Sequence, residues 1–109
     1  MIRKAFVMQL HSGHVEEYRR RHDAIWPELK RVLEEEDVRA YSIFLHPQTL
    51  QLFAYAEIGS EEQWAAIADT EVCRRWWDYM RDIMDTNPDS SPVSIPLEEV
   101  FRYEFEIPF

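Results

Sequence analysis

Apolar and polar positions alternate from Ile2 to Leu10, with Phe6, Met8 and Leu10 on one side and Ala5, Val7 and Gln9 on the other. A period of two is that of a strand with at least one buried face. His11-Ser12-Gly13 reads as a turn. Over residues 14–36 the period lengthens, and Val15, Tyr18, Ile25, Leu29, Val32 and Leu33 recur at helical spacing. Pro27 interrupts this stretch. Proline has no N–H and disfavours helical backbone in the residue before it, so the helix is expected to stop near His22 and restart near Trp26. A break there leaves the end of the first segment free to line a pocket.

Alternation returns at residues 38–45 (Tyr41, Ile43, Leu45) and at 50–58 (Leu50, Leu52, Ala54, Ala56), two strands joined by the turn His46-Pro47-Gln48-Thr49 as a hairpin. Ser60 followed by Gln63 has the spacing of a capping box and opens a helix to about Asp69. Thr70 caps a second segment through about Met84. Residues 87–96 hold three prolines and three serines and read as a loop. A last strand is expected over 98–107. The order β-α-β-β-α-β is the ferredoxin-like split arrangement, an α+β fold with helices over one face of a four-stranded antiparallel sheet. Every strand carries apolar residues on both sides, so the second face also needs cover. A second copy packed sheet to sheet supplies it, and a homodimer is expected.

The chain has 109 residues, the size of one domain, and 1–109 is read as such. Its net charge of −9 argues against a nucleic-acid partner. That charge is uneven: residues 1–31 carry a net +3 and residues 32–109 a net −12, either complementary across the fold or spread over solvated helix faces. Cys73 is the one cysteine, so no intrachain disulfide forms. No signal-like segment opens the chain and no apolar run approaches the ~20 residues of a membrane span. A soluble cytoplasmic protein is expected.

Candidate chemistry is sparse. Tyr18 and His22, four apart, share a helix face. Histidine is the side chain best suited to exchanging protons near neutral pH. Arg19, Arg20 and Arg21 precede it, and nearby cations lower an imidazole pKa. The same pattern suits an ordinary surface histidine. Val72, Trp76, Met80 and Ile83 form a core stripe from which Trp77 diverges, so one tryptophan is a candidate for a cavity edge, where indoles stack on sugar C–H faces. Packing of both in the core is the plain alternative. Tyr41 lies among aliphatics and needs a polar partner if buried. His11, His14, His22 and His46 lack metal-ligand spacing, and no metal site is expected. Cys73 reads as a small buried hydrophobe rather than a nucleophile.

Tyr18-Arg19-Arg20-Arg21-His22 leading to Ile25-Trp26-Pro27-Glu28-Leu29, the run Val72 to Met80, and Asn87-Pro88-Asp89-Ser90-Ser91-Pro92-Val93 together resemble the L-rhamnose mutarotase family, in its order and spacing. The resemblance implies a dimeric α+β barrel that interconverts the anomers of L-rhamnose. It implies His22 as proton donor and Tyr18, Tyr41, Trp76 and Trp77 as sugar contacts, with no metal or organic cofactor. The His11-Ser12-Gly13 turn and the tail from Arg102 depart from the family pattern without touching these residues. Two competing readings are a cofactor-free monooxygenase or haem-handling protein on the same architecture, which rests on fold analogy, and a sugar-binding module without activity.

Overall fold

In a computed structural model describing residues 1–105, four strands and four helices follow the order β1 (Ile2–Gln9), α1 (Val15–Asp23), α2 (Pro27–Glu35), β2 (Val38–Leu45), β3 (Gln51–Ile58), α3 (Glu61–Ile67), α4 (Glu71–Met80) and β4 (Ile95–Leu97). The strands lie in the sheet order β2-β3-β1-β4, every neighbouring pair antiparallel. This is the ferredoxin-like α+β arrangement that the alternation predicts.

Local chemistry sets the element ends. Trp26, before Pro27, is extended (φ −62°, ψ 131°), and Pro27 opens α2 where its missing N–H costs nothing. The Ser60 and Thr70 hydroxyls accept from the backbone N–H groups of Gln63 (3.1 Å) and Cys73 (3.4 Å), satisfying donors that a helix start leaves open. Asp37 takes a left-handed φ of 58° between α2 and β2. Gly59 passes so close that a Cβ there would meet the Asp37 carboxylate.

Register divides the sheet into two faces. Phe6 and Met8 lie opposite Ala54 and Leu52, which in turn lie opposite Ile43 and Leu45. This face packs under the helices, where Met8, Leu10, Leu29, Leu52, Val72 and Met80 form the core. The other face presents Phe44 opposite Phe53 and Val7 opposite Ile95. Phe44 (64%) and Ile95 (62%) are left largely exposed, as are Val100, Phe101, Tyr103 and Phe105 of the segment that follows.

Two expectations change. The last strand is not 98–107. Only Ile95–Leu97 pairs with β1, and 98–105 is without regular structure; residues 106 and 107 lie outside the described part. Pro96 is tolerated because β4 is an edge strand, where an N–H need not be donated. The helix expected to reach Met84 ends at Met80. Beyond it the backbone is drawn onto the end of β1: His11 N–H donates to the Ile83 carbonyl (2.8 Å) and Asp85 N–H to that of Gln9 (2.9 Å).

The charge asymmetry is partly internal. Arg3–Glu99, Lys4–Glu61 and Arg21–Asp82 each join the basic first segment to the acidic remainder. Among the described residues, no helix is long and apolar enough to cross a membrane.

Candidate functional site

A cavity of about 1200 Å³ lies between the helices and the sheet. Tyr18, His22, Tyr41, Trp64, Trp76 and Trp77 are among its walls. Small-molecule sites run to roughly 300–1,000 Å³, so there is room for a monosaccharide and water. All five residues singled out from the sequence therefore meet at one place, from α1, β2 and α4.

His22 sits in the last turn of α1, where the break before Pro27 ends the helix. Its Nδ1 is 3.0 Å from the Tyr18 carbonyl oxygen. A carbonyl only accepts, so Nδ1 carries the hydrogen, and in the neutral ring Nε2 keeps its lone pair. The Tyr18 ring stacks on the imidazole at 4.2 Å, and Trp76 meets it edge-on at 5.4 Å. Burial holds the His22 pKa below its ordinary 6.5, opposed by the hydrogen bond to Tyr18 and the charge of Asp23. The cause is not the neighbouring arginines. Arg20 and Arg21 are turned to Glu17, and Arg21 also to Asp82.

Burial raises the pKa of Tyr18 and of Tyr41, so both phenols stay protonated at neutral pH. Tyr41 retains 39% of its surface in solvent. Burial also pushes the Cys73 thiol up to about 11, which leaves it protonated and weakly nucleophilic, as its place in the apolar stripe suggests.

Trp76 is both core and wall: it is buried, yet it borders the cavity beside His22. Trp77, one position on, is half-buried and also lines the cavity. The pattern of α4 gave no reason to expect both. It also missed Trp64, whose ring lies 5.8 Å from that of Tyr41 and 6.0 Å from that of Phe6. Trp64 faces the sheet from α3, so only the tertiary contact brings it to the site. His11 is paired with Asp85 (2.8 Å). Among the described residues, no group of three or more His, Cys, Asp or Glu side chains is placed to hold a metal.

A family model for L-rhamnose mutarotase matches residues 3–103 of the chain. The L-rhamnose mutarotase of Tolumonas auensis is 58% identical over 101 residues, covering 93% of this chain and 97% of its own length. The crystal structure of an L-rhamnose mutarotase from Formosa agariphila superposes with a TM-score of 0.88 at 47% identity, covering 95% of this chain and all of that one. A putative antibiotic biosynthesis monooxygenase from Nitrosomonas europaea superposes with a TM-score of 0.63 at 11% identity, covering 91% and 89%. At that identity the likeness is one of fold, and it lends nothing to an oxygenase reading.

Proposed function

The chain belongs to the L-rhamnose mutarotase family, and from that premise we propose that it interconverts the α and β anomers of L-rhamnose. The observation that carries the reading is His22: a neutral imidazole with Nδ1 tied to the Tyr18 carbonyl, at the wall of an aromatic cavity.

Mutarotation breaks the bond between C1 and the ring oxygen and remakes it on the other face of C1. The anomeric hydroxyl must lose a proton and the ring oxygen must gain one. In our reading Nε2 of His22 takes the first proton as C1 becomes an aldehyde carbon. The resulting imidazolium is the donor for the ring oxygen. No net proton is gained or lost, and closure runs the same steps backwards. A positioned acid–base group contributes about 10²–10⁴-fold. Tyr18 and Tyr41, held protonated by burial, are suited to donate hydrogen bonds to sugar oxygens. Trp76 and Trp77 offer ring faces and indole N–H groups to the sugar. C1 must turn about its bond to C2 before closure, so the contacts belong on the other carbons. None of these steps calls for a metal or organic cofactor.

The same reading takes residues 1–109 as one domain that works as a homodimer in the cytoplasm. The apolar second sheet face, with Phe44 and Ile95 exposed, supports pairing of two copies. The buried free thiol of Cys73 suits a reducing compartment.

The test is saturation transfer between the anomeric protons of L-rhamnose, with parent protein and with His22→Ala. Faster exchange that disappears in the variant is expected. Binding without faster exchange in the parent would leave a sugar-binding module, and near-parent exchange in His22→Ala would remove His22 from the chemistry.

A further inference from the structure

His22 is walled by rings that are themselves held by a buried charge that the proposed reaction does not use. Arg21, the residue before His22, is buried to 8% exposure, and only one other polar residue, Ser90, is buried as deeply among those described. Its guanidinium leaves α1 for the end of α4. There Nη1 donates to the Tyr79 carbonyl (2.6 Å), one of the acceptors that a helix end leaves open, and the fork grips the Asp82 carboxylate at 2.9 and 3.2 Å. Nε donates to Glu17 at 2.6 Å. The guanidinium also lies 4.3 Å from the centre of the Tyr79 ring.

From Tyr79 the contacts lead back to His22. Tyr79 lies 5.7 Å from Trp76 and stacks on Trp26 at 5.6 Å; Trp26 meets Trp76 edge-on at 5.1 Å. Trp76 in turn presents its ring to His22. Arg75, paired with Glu28, lies over the far side of this cluster at 5.9 Å from Trp26. Two neighbours on α1 therefore act on one arrangement from opposite ends: Arg21 fixes Tyr79, and Tyr79 with Trp26 fixes the ring against which His22 rests.

We propose that Arg21 is a positioning residue for His22, setting the place of the imidazole through Tyr79 and Trp76 without touching substrate. This rests on the reading of His22 as the proton-transfer group. A plain structural clamp would also explain a buried arginine bonded through all three of its nitrogens. The difference is that a clamp affects stability and binding alike, whereas a positioning residue affects turnover first. Lysine keeps the charge but has no planar fork to span Glu17, Asp82 and the ring. Leucine at 79 leaves Arg21 its carboxylates and removes the ring.

The experiment measures anomeric exchange by saturation transfer across L-rhamnose concentrations in the parent, Arg21→Lys and Tyr79→Leu. Thermal melts and the His22 ring-proton shifts of the sugar-free proteins accompany each. We expect turnover to fall by up to about 100-fold, the loss that a misplacement on the order of 1 Å brings. KM should change less than turnover, Trp76 being a sugar contact as well, and the His22 ring signals should move in both variants. Parent-like turnover in both folded variants overturns the proposal. So does turnover lost in step with KM and melting temperature while the His22 signals stay put, which describes a clamp only. Where Arg21→Lys does not fold, Asp82→Asn, which weakens one anchor of the fork at an exposed carboxylate, carries the same expectation at smaller size. A parent that leaves exchange untouched sinks the mutarotase reading instead, and the His22 shifts then still decide whether Arg21 places the ring.

Discussion

Replacing Tyr18 by phenylalanine removes one oxygen from the site and separates binding from folding. The Tyr18 side chain is 9% exposed, and among the described residues no hydrogen bond reaches its hydroxyl. Nor is that oxygen among the sealed, unpartnered polar atoms, of which Arg3 Nε is the example. It therefore opens on the cavity with its bonding capacity unused. Folding should not miss it: no protein hydrogen bond is lost, and the ring that stacks on His22 at 4.2 Å stays. A neutral hydrogen bond to a sugar oxygen contributes about 0.5–1.5 kcal/mol. With tenfold corresponding to 1.4 kcal/mol, Tyr18→Phe should raise KM for L-rhamnose by roughly 2- to 12-fold. The assay is saturation transfer as a function of sugar concentration, with a thermal melt of the same sample. The melting temperature should stay within about 4 °C of the parent, the smallest shift expected for 1 kcal/mol in a domain of this size. An unchanged KM refutes the contact. A larger fall in melting temperature refutes the premise that the hydroxyl is free.

Trp77→Ala should weaken sugar binding by about 1–3 kcal/mol if the indole is a stacking platform, on the scale of aromatic–base stacking; unchanged affinity by calorimetry would return Trp77 to packing alone. Because burial holds the His22 pKa below 6.5 and the neutral ring is the form that accepts a proton first, exchange should rise with pH through that lowered pKa and be level by neutrality. An activity that declines as pH rises from 6 to 7 would contradict this. The sign for stability follows from the same shift: as pH falls below 6.5 the unfolded chain binds a proton at this histidine before the folded one does, so His22 lowers stability in acid, and His22→Gln should remove that contribution from a pH series of melts. Sizing at micromolar concentration should give a dimer, and Phe44→Glu on the bare sheet face should split it; a monomeric parent would defeat the argument that a second copy covers that face.

Where the sequence was readable, the cause was local. The two-residue period of β1, β2 and β3 survives because one face of each strand meets the helices. Pro27 ends α1 through its own ring and missing N–H. Ser60 and Thr70 cap through atoms only three residues away. The tail misled because alternation states what a segment is able to pair with, not what lies beside it. Val100, Phe101, Tyr103 and Phe105 carry a strand-like pattern, but pairing with β1 stops at Leu97, and up to Phe105 the tail takes no strand partner among the described residues. The site divides in the same way. Tyr18 and His22 are legible because i and i+4 share a helix face. The reason for the lowered His22 pKa is not, because the arginines beside it in sequence are turned away by Glu17 and Asp82, carboxylates that only the folded helix and its neighbour bring within reach. Trp64, Trp26 and Tyr79 belong to contacts between elements, and no spacing along one element announces them.

Burial acts on four titratable groups of the cavity wall in one direction, toward the neutral form. The Tyr18 and Tyr41 phenols and the Cys73 thiol are pushed up and the His22 imidazole is pushed down. Each is thereby held neutral at physiological pH, and Arg20 and Arg21, which precede His22, are drawn off to Glu17, whose carboxyl they lower to about 2. A low-polarity wall of this kind is poorly suited to holding a lasting ion, since an uncompensated charge there would lack solvation. It suits a reaction whose substrate, open-chain intermediate and product are all uncharged and in which a proton is only lent. In the proposed reaction the imidazolium of His22 need exist only between taking the anomeric proton and giving it to the ring oxygen, and the burial that makes that cation costly also favours its discharge. The same burial that lowers the His22 pKa thus weakens the neutral ring as the base that takes the first proton and strengthens the donating half of the transfer.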